Sequence, residues 1–117
     1  MKKLQNNFTT PEQSKRLLEL GVPSDSADMC YLREYPERAF LLHNSLSMTR
    51  LIKGMGHAMP LWSVGRLIEI CKICGSYELA KEIYGRTLMY LNTVDGCICE
   101  MSYEIGKGNL DFSKLEE

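Results

Sequence analysis

Apolar residues recur at helical spacing in several stretches of the chain, and turn-forming residues separate those stretches. Leu17, Leu18 and Leu20 give the first apolar stripe. Thr10 is placed to cap it, Pro11 suits the first helical position, and Gln13 completes a capping box. Gly21 then takes the left-handed position after the helix, Val22 packs back on the last turn, and Pro23 blocks continuation. The pattern predicts a helix over residues 11–20. Ser24 to Asp28 is polar and turn-prone. Met29-Cys30-Tyr31-Leu32-Arg33 and Ala39-Phe40-Leu41-Leu42-His43 are short apolar runs on either side of Tyr35-Pro36-Glu37, the pattern of a hairpin. The second run also reads as the opening of a helix continuing through Leu46 and Ile52.

Residues 54–60 contain two glycines and a proline, which predicts a loop. Beyond it, Leu61, Val64, Leu67, Ile68, Cys71 and Cys74 fall at steps of three and four, on one helical face. Ser63 is a capping residue and Gly75 ends the run. Ile70 and Ile73 lie off the stripe, so this helix is expected to bury more than one side and to form the centre of the core. Residues 77–91 fit a helix through Leu79, Ile83, Tyr84, Leu88 and Leu91. They also alternate partly like a strand, and Gly85 interrupts both patterns. From Thr93 the spacing is helical again: Thr93 caps, Asp95 favours the first turn, and Ile98, Met101 and Ile105 share a face. Gly106 and Gly108 end that helix. A tail over 109–117 docks through Leu110, Phe112 and Leu115.

These elements predict an α+β fold, two or three helices packed on a small sheet. The alternative is an all-α bundle, which follows if residues 38–53 and 77–91 are both helical. No repeat, low-complexity segment or long linker divides the chain. The expectation is a single domain over 1–117, with residues 1–8 a flexible N-terminal tail.

Composition narrows the function classes. The 117 residues carry 14 Lys and Arg against 15 Asp and Glu, a net charge of −1, and 44% are hydrophobic. A chain of this length buries roughly two-thirds of its unfolded surface, so it needs neither disulfides nor metal to fold. Its basic residues are scattered, which gives no reason to expect nucleic acid. No apolar run approaches the ~20 residues that span a bilayer, so no membrane association is expected. Met1-Lys2-Lys3 is followed by Gln5-Asn6-Asn7 where a secretory signal needs an apolar run, which makes the cytoplasm the expected compartment. Five cysteines, an odd number, fit reduced thiols better than a disulfide framework.

Pro60-Leu61-Trp62-Ser63-Val64-Gly65-Arg66-Leu67-Ile68-Glu69-Ile70 resembles a motif of small uncharacterised proteins from gut Bacteroidales, their phages and mobile elements. The lead-in Thr10-Pro11-Glu12-Gln13, Leu18-Glu19-Leu20-Gly21-Val22-Pro23 and Ala27-Asp28-Met29 is similar too. So is the late segment Thr93-Val94-Asp95-Gly96, Glu100-Met101 and Gly108-Asn109-Leu110. The three segments keep the family's order over about half the chain. The resemblance implies a small α+β domain with the central and late helices packed on a few strands. It also implies strands between the two later helices, where this chain reads at least as well as a helix. It implies no activity, cofactor or site residue.

Several constellations touch on chemistry. Cys71-x-x-Cys74 and Cys97-x-Cys99 offer four thiols to a tetrahedral zinc. Cys71 and Cys74 nevertheless fall on an apolar helical stripe, and two helical residues at positions 97 and 99 point ~200° apart. Core thiols are the expected reading, since buried cysteine is common. A redox role fits less well, because these two thiols lie near the C-terminal pole of their helix, which disfavours thiolate. Met55-x-His57-x-Met59, with Met48 upstream, is a soft-ligand run suited to Cu(I). It reads more simply as a loop that contacts a partner. His43 and His57 are the candidate bases for a cysteine nucleophile, but no oxyanion loop accompanies them. Glu100 and Glu104 are helical neighbours and read as a solvated face. Gly54-x-Gly56 and Gly106-x-Gly108 lack the remainder of a phosphate loop. Trp62 at a helix entry packs on the core and donates its N–H to a carbonyl, or anchors a partner. Six tyrosines supply further rings for a contact surface.

The sequence therefore points to a non-enzymatic interaction or accessory protein of a phage or mobile element, with no cofactor. Its partner would be a protein, including a second copy in a homodimer. Trp62, Met55, His57 and Met59 are the candidate contact residues. The alternative is a small zinc-binding domain built on Cys71, Cys74, Cys97 and Cys99. A small hydrolase or transferase with a cysteine nucleophile is third.

Overall fold

The first helix, α1 (Pro11–Glu19), begins where its capping residues require. The Thr10 hydroxyl accepts from the Gln13 N–H at 3.2 Å, and the Gln13 side chain accepts from the Thr10 N–H at 2.8 Å. These two bonds satisfy donors that the first helical turn leaves open. At the other end Gly21 has φ 98°, and the Val22 N–H reaches back to the Leu17 carbonyl at 3.1 Å. Val22 is buried beneath that turn, as the pattern predicts. The computed structural model describes residues 7–33, 39–42, 48, 50 and 58–116.

A short 3₁₀ turn (Ser24–Ser26) leads into a three-stranded antiparallel sheet of β1 (Met29–Leu32), β2 (Ala39–Leu41) and β3 (Ala58–Leu61). The strand order is β2-β1-β3, with Met29 opposite both Leu41 and Leu61. The hairpin of β1 and β2 follows the two apolar runs, and the all-α alternative does not hold. Tyr35-Pro36-Glu37 lies outside the described residues, as do Leu46 and Ile52. The expected loop over 54–60 is corrected at its end, because Ala58, Met59 and Pro60 belong to β3. That strand is an edge, and an edge tolerates a residue without an N–H. Pro60 sits there opposite Cys30.

Among the described residues, four α-helices of eight residues or more pack with this sheet in an α+β arrangement. In α2 (Val64–Cys74) the Ser63 hydroxyl accepts from the Arg66 N–H at 3.1 Å. Leu67, Ile70, Cys71 and Cys74 are buried, whereas Ile73 is exposed, so only Ile70 extends the buried face as expected. Helix α3 (Tyr77–Thr87) resolves the ambiguous segment as helix, capped by Ser76. Helix α4 (Thr93–Gly106) is capped by Asn92 and not by Thr93. The Asn92 side chain accepts from the N–H groups of Val94 and Asp95, and asparagine outranks threonine at that position.

The α2–α3 turn closes around Gly75, where a Cβ would meet Leu79 Cδ2 at 2.6 Å and the Cys71 carbonyl at 2.9 Å. A final 3₁₀ turn (Phe112–Glu116) returns to α2, tied by the Asp111 N–H to the Cys74 carbonyl at 2.9 Å. Leu110 is buried, and Phe112 and Leu115 pack against the core. Near the start of the chain, the Asn7 carbonyl accepts from Val64 at 2.9 Å and Phe8 bridges to Ser63. Residues 7 and 8 are therefore held, which shortens the expected tail; residues 1–6 lie outside the described residues. No helix among the described residues is long and apolar enough to cross a membrane.

Candidate functional site

The motif around Trp62 is a structural knot. Trp62 is 0% exposed. Its indole N–H donates to the Ser26 hydroxyl at 3.0 Å, and that hydroxyl donates to the Pro23 carbonyl at 2.6 Å. Its backbone N–H donates to the Thr9 hydroxyl at 3.0 Å, while the Thr9 N–H donates to the Trp62 carbonyl at 2.9 Å. The Thr9 and Ser14 hydroxyls share a further bond of 2.7 Å. Asp28 accepts from both the N–H and the hydroxyl of Ser63, at 2.9 and 2.6 Å. Arg66 Nε donates to the Ser26 carbonyl at 2.7 Å, and its guanidinium pairs with Glu69. Lead-in, 3₁₀ turn and start of α2 thus meet on one indole. The expectation of Trp62 as a partner anchor is corrected, because a ring with no accessible surface offers a partner nothing to touch. Its predicted carbonyl acceptor is a serine hydroxyl.

The other candidate contact residues divide. Met59 is half-buried on β3, while Met55, His57 and His43 lie outside the described residues. An open cleft of about 360 Å³ lies beside the knot, between Pro23, Ser24, Asp25, Ser26, Arg66 and Leu115. The Arg66 guanidinium on its wall is already engaged by Ser26 and Glu69.

The thiols are interior groups with one exception. Cys30, Cys71, Cys74 and Cys97 are buried, and Cys99 is exposed. Cys97 and Cys99 face different surroundings, as their helical spacing requires. Among the described residues no group of three or more His, Cys, Asp or Glu is placed to hold a metal ion. Burial pushes the Cys97 thiol up to about 12. The Thr87 hydroxyl, itself buried without an oxygen or nitrogen partner among the described residues, lies beside Cys97 and offsets part of that rise. Burial raises Cys71 further still, with Cys97, Cys74 and Glu104 adding to the effect. Cys30 and Cys74 are also raised by burial. A raised thiol is a poor nucleophile at neutral pH. Glu104 departs from the solvated face expected for it: it is buried and accepts from Asn109 Nδ2 at 2.6 Å.

The largest unexplained feature is apolar surface on α3 and the turn after it. Ala80, Ile83 and Thr87 supply the buried stripe of α3. A second stripe, Tyr77, Lys81, Tyr84 and Leu88, is exposed. At about 100° per residue these four positions fall within a sector of roughly 60°. The chain continues into Met89, 86% exposed, and Leu91, 95% exposed. Tyr90 fixes this turn. Its ring lies on Gly96 of α4, so closely that a Cβ there would come within 2.5 Å of Tyr90 Cγ. Its hydroxyl donates to Glu100 at 3.3 Å, and Glu100 also accepts from Arg86 at 3.2 Å. Arg86 is bound in turn to Glu82 at 3.1 Å. Partial burial and the Glu100 charge both raise the Tyr90 phenol, while the Glu100 hydrogen bond raises the Arg86 guanidinium. The Tyr90 ring packs on Gly96 while keeping 42% of its surface exposed, and Met89 and Leu91 turn out.

The sequence pattern places Tyr84, Leu88 and Leu91 among the apolar positions of a helix without separating them from Ile83. The available signal was the presence of two apolar stripes on one short helix. A single neighbouring layer covers only one of them. Comparison with family models, with curated proteins and with solved structures finds no match.

Proposed function

We propose that the protein acts by non-covalent contact with another protein, and that the outer stripe of α3 with the Leu88–Leu91 turn makes that contact. The observation that carries this reading is the outward presentation of Met89 and Leu91 by a clamped Tyr90. Scattered exposed apolar residues are ordinary, but a contiguous patch marks an interaction site. Met89 adds an adaptable thioether, and tyrosines are enriched where proteins meet. A role as an accessory protein of a phage or mobile element rests on the resemblance of the Trp62 motif and its flanking segments.

A photoreactive side chain at position 89, in cells making the protein, tests this. The expected result is a discrete protein adduct, competed away by excess native chain. A Met89→Asp, Leu91→Asp competitor is expected to fail while staying within ~0.5 kcal/mol of native stability, since both sites are on the surface. Absence of an adduct, or equal competition by that variant, overturns the reading.

A further inference from the structure

Resting on that contact face, we infer that its occupant is a second copy of this chain, docked α3 against α3 in antiparallel orientation about a two-fold axis. The spacing of Tyr77, Lys81, Tyr84 and Leu88 is the same read from either end of the helix. Antiparallel pairing on the centre of that stripe sets Tyr77 opposite Leu88 of the second copy. It sets Lys81 opposite Tyr84 of the second copy. Two-fold symmetry makes each of these contacts twice. The outer pairs are apolar, and each inner pair places an ammonium at an aromatic ring, an attraction that strengthens as water leaves. Within the chain, Lys72 already lies 5.8 Å from the Tyr77 ring centroid. Tyr84 is the stripe's other ring, and the pairing gives it the equivalent cation.

Gly85 lies beside the stripe, and a Cβ there would meet nothing within 4 Å among the described residues. A helix-interior glycine is destabilising, so room for a second backbone is a use that packing within the chain does not supply. A standard interface takes about 800 Å² from each partner. Tyr77 and Tyr84 keep 62% and 47% of their surface exposed, and Leu88, Met89 and Leu91 keep 58%, 86% and 95%, so these five side chains supply a large share of that area.

Light scattering during size exclusion, on the full chain from about 1 to 300 μM, tests the pairing. The expected mass rises with concentration from 13.4 kDa toward twice that value. Tyr84→Asp is expected to weaken dimerisation at least ~10-fold while leaving the melting temperature of the dilute monomer unchanged. Tyr103→Asp, on exposed surface of α4, is expected to leave it unchanged. In a Cys99→Ser background, Tyr77→Cys mixed with Leu88→Cys is expected to form a mixed disulfide, and Leu88→Cys alone is not. A mass of 13.4 kDa at every concentration overturns the inference, as does a dimer indifferent to Tyr84→Asp. A monomer whose position-89 probe still captures a different protein removes the second copy and leaves the proposed function standing. A monomer without any adduct removes both.

Discussion

Trp62→Ala is expected to destabilise the protein by about 3–5 kcal/mol, the range for truncating a large buried aromatic. A native domain holds only about 5–15 kcal/mol in total, so the variant is expected to be largely unfolded at modest urea. Two effects combine. The cavity removes contacts from a fully buried site, and Ser26 loses the donor to its hydroxyl. Trp62→Phe separates them: most of the ring volume stays and the indole N–H goes. Its expected cost is about 1–2 kcal/mol, the price of one buried hydrogen bond. Urea midpoints at neutral pH measure both. An alanine variant with a native midpoint would mean that the lead-in and α2 do not meet on this ring.

Alkaline pH is expected to unfold the protein through its buried thiols. Cys71 and Cys97 keep their protons in the fold well above the ordinary thiol range, Cys97 to about 12. In the unfolded chain they ionise near the ordinary thiol value of 9.0. Between those limits the unfolded state holds fewer protons, so stability falls as pH rises. It is undiminished below the unfolded value and is lost progressively above it. One pH unit above that value, each thiol removes about 1.4 kcal/mol, roughly 3 kcal/mol for the pair. Urea unfolding at intervals between about pH 8 and 10 reads this slope. Cys97→Ala is expected to make it measurably shallower, with Cys71, Cys30 and Cys74 supplying the remainder, whatever that variant loses at neutral pH. A stability independent of pH over this interval would place these thiols in water.

The elements set by local chemistry were readable from the sequence. Thr10, Pro11, Gln13 and Gly21 specify α1 through bonds spanning no more than a few residues. The two apolar runs suggest a hairpin, but the second reads equally as the opening of a helix, and its pairing with β1 is what makes it β2. Features that depend on distant neighbours were not readable. Pro60 argues against a strand until β3 is known to be an edge. The burial of Trp62 is decided by Thr9 and Ser26, which come from 53 and 36 residues away. The contact face is harder still, because Ile83 and Tyr84 are adjacent and equally helical. Only the placement of α2 and α4 decides that Ile83 is covered and Tyr84 is not. The cysteines were legible as core because they share the apolar spacing of Leu67. The exposure of Cys99 follows from its two-residue offset from Cys97.

The Trp62 motif holds the fold, and the contact surface proposed for the turn after α3 is separate from it. Hydroxyl-radical oxidation of Met89, compared between dilute purified protein and the cell in which the protein works, tests this most directly. Tyr103, 60% exposed on α4, serves as internal reference. Met89 is expected to oxidise readily in the dilute sample and severalfold less, relative to Tyr103, in the cell. An unchanged ratio would contradict the account, because the side chain assigned to the partner would then be as wet at work as in isolation.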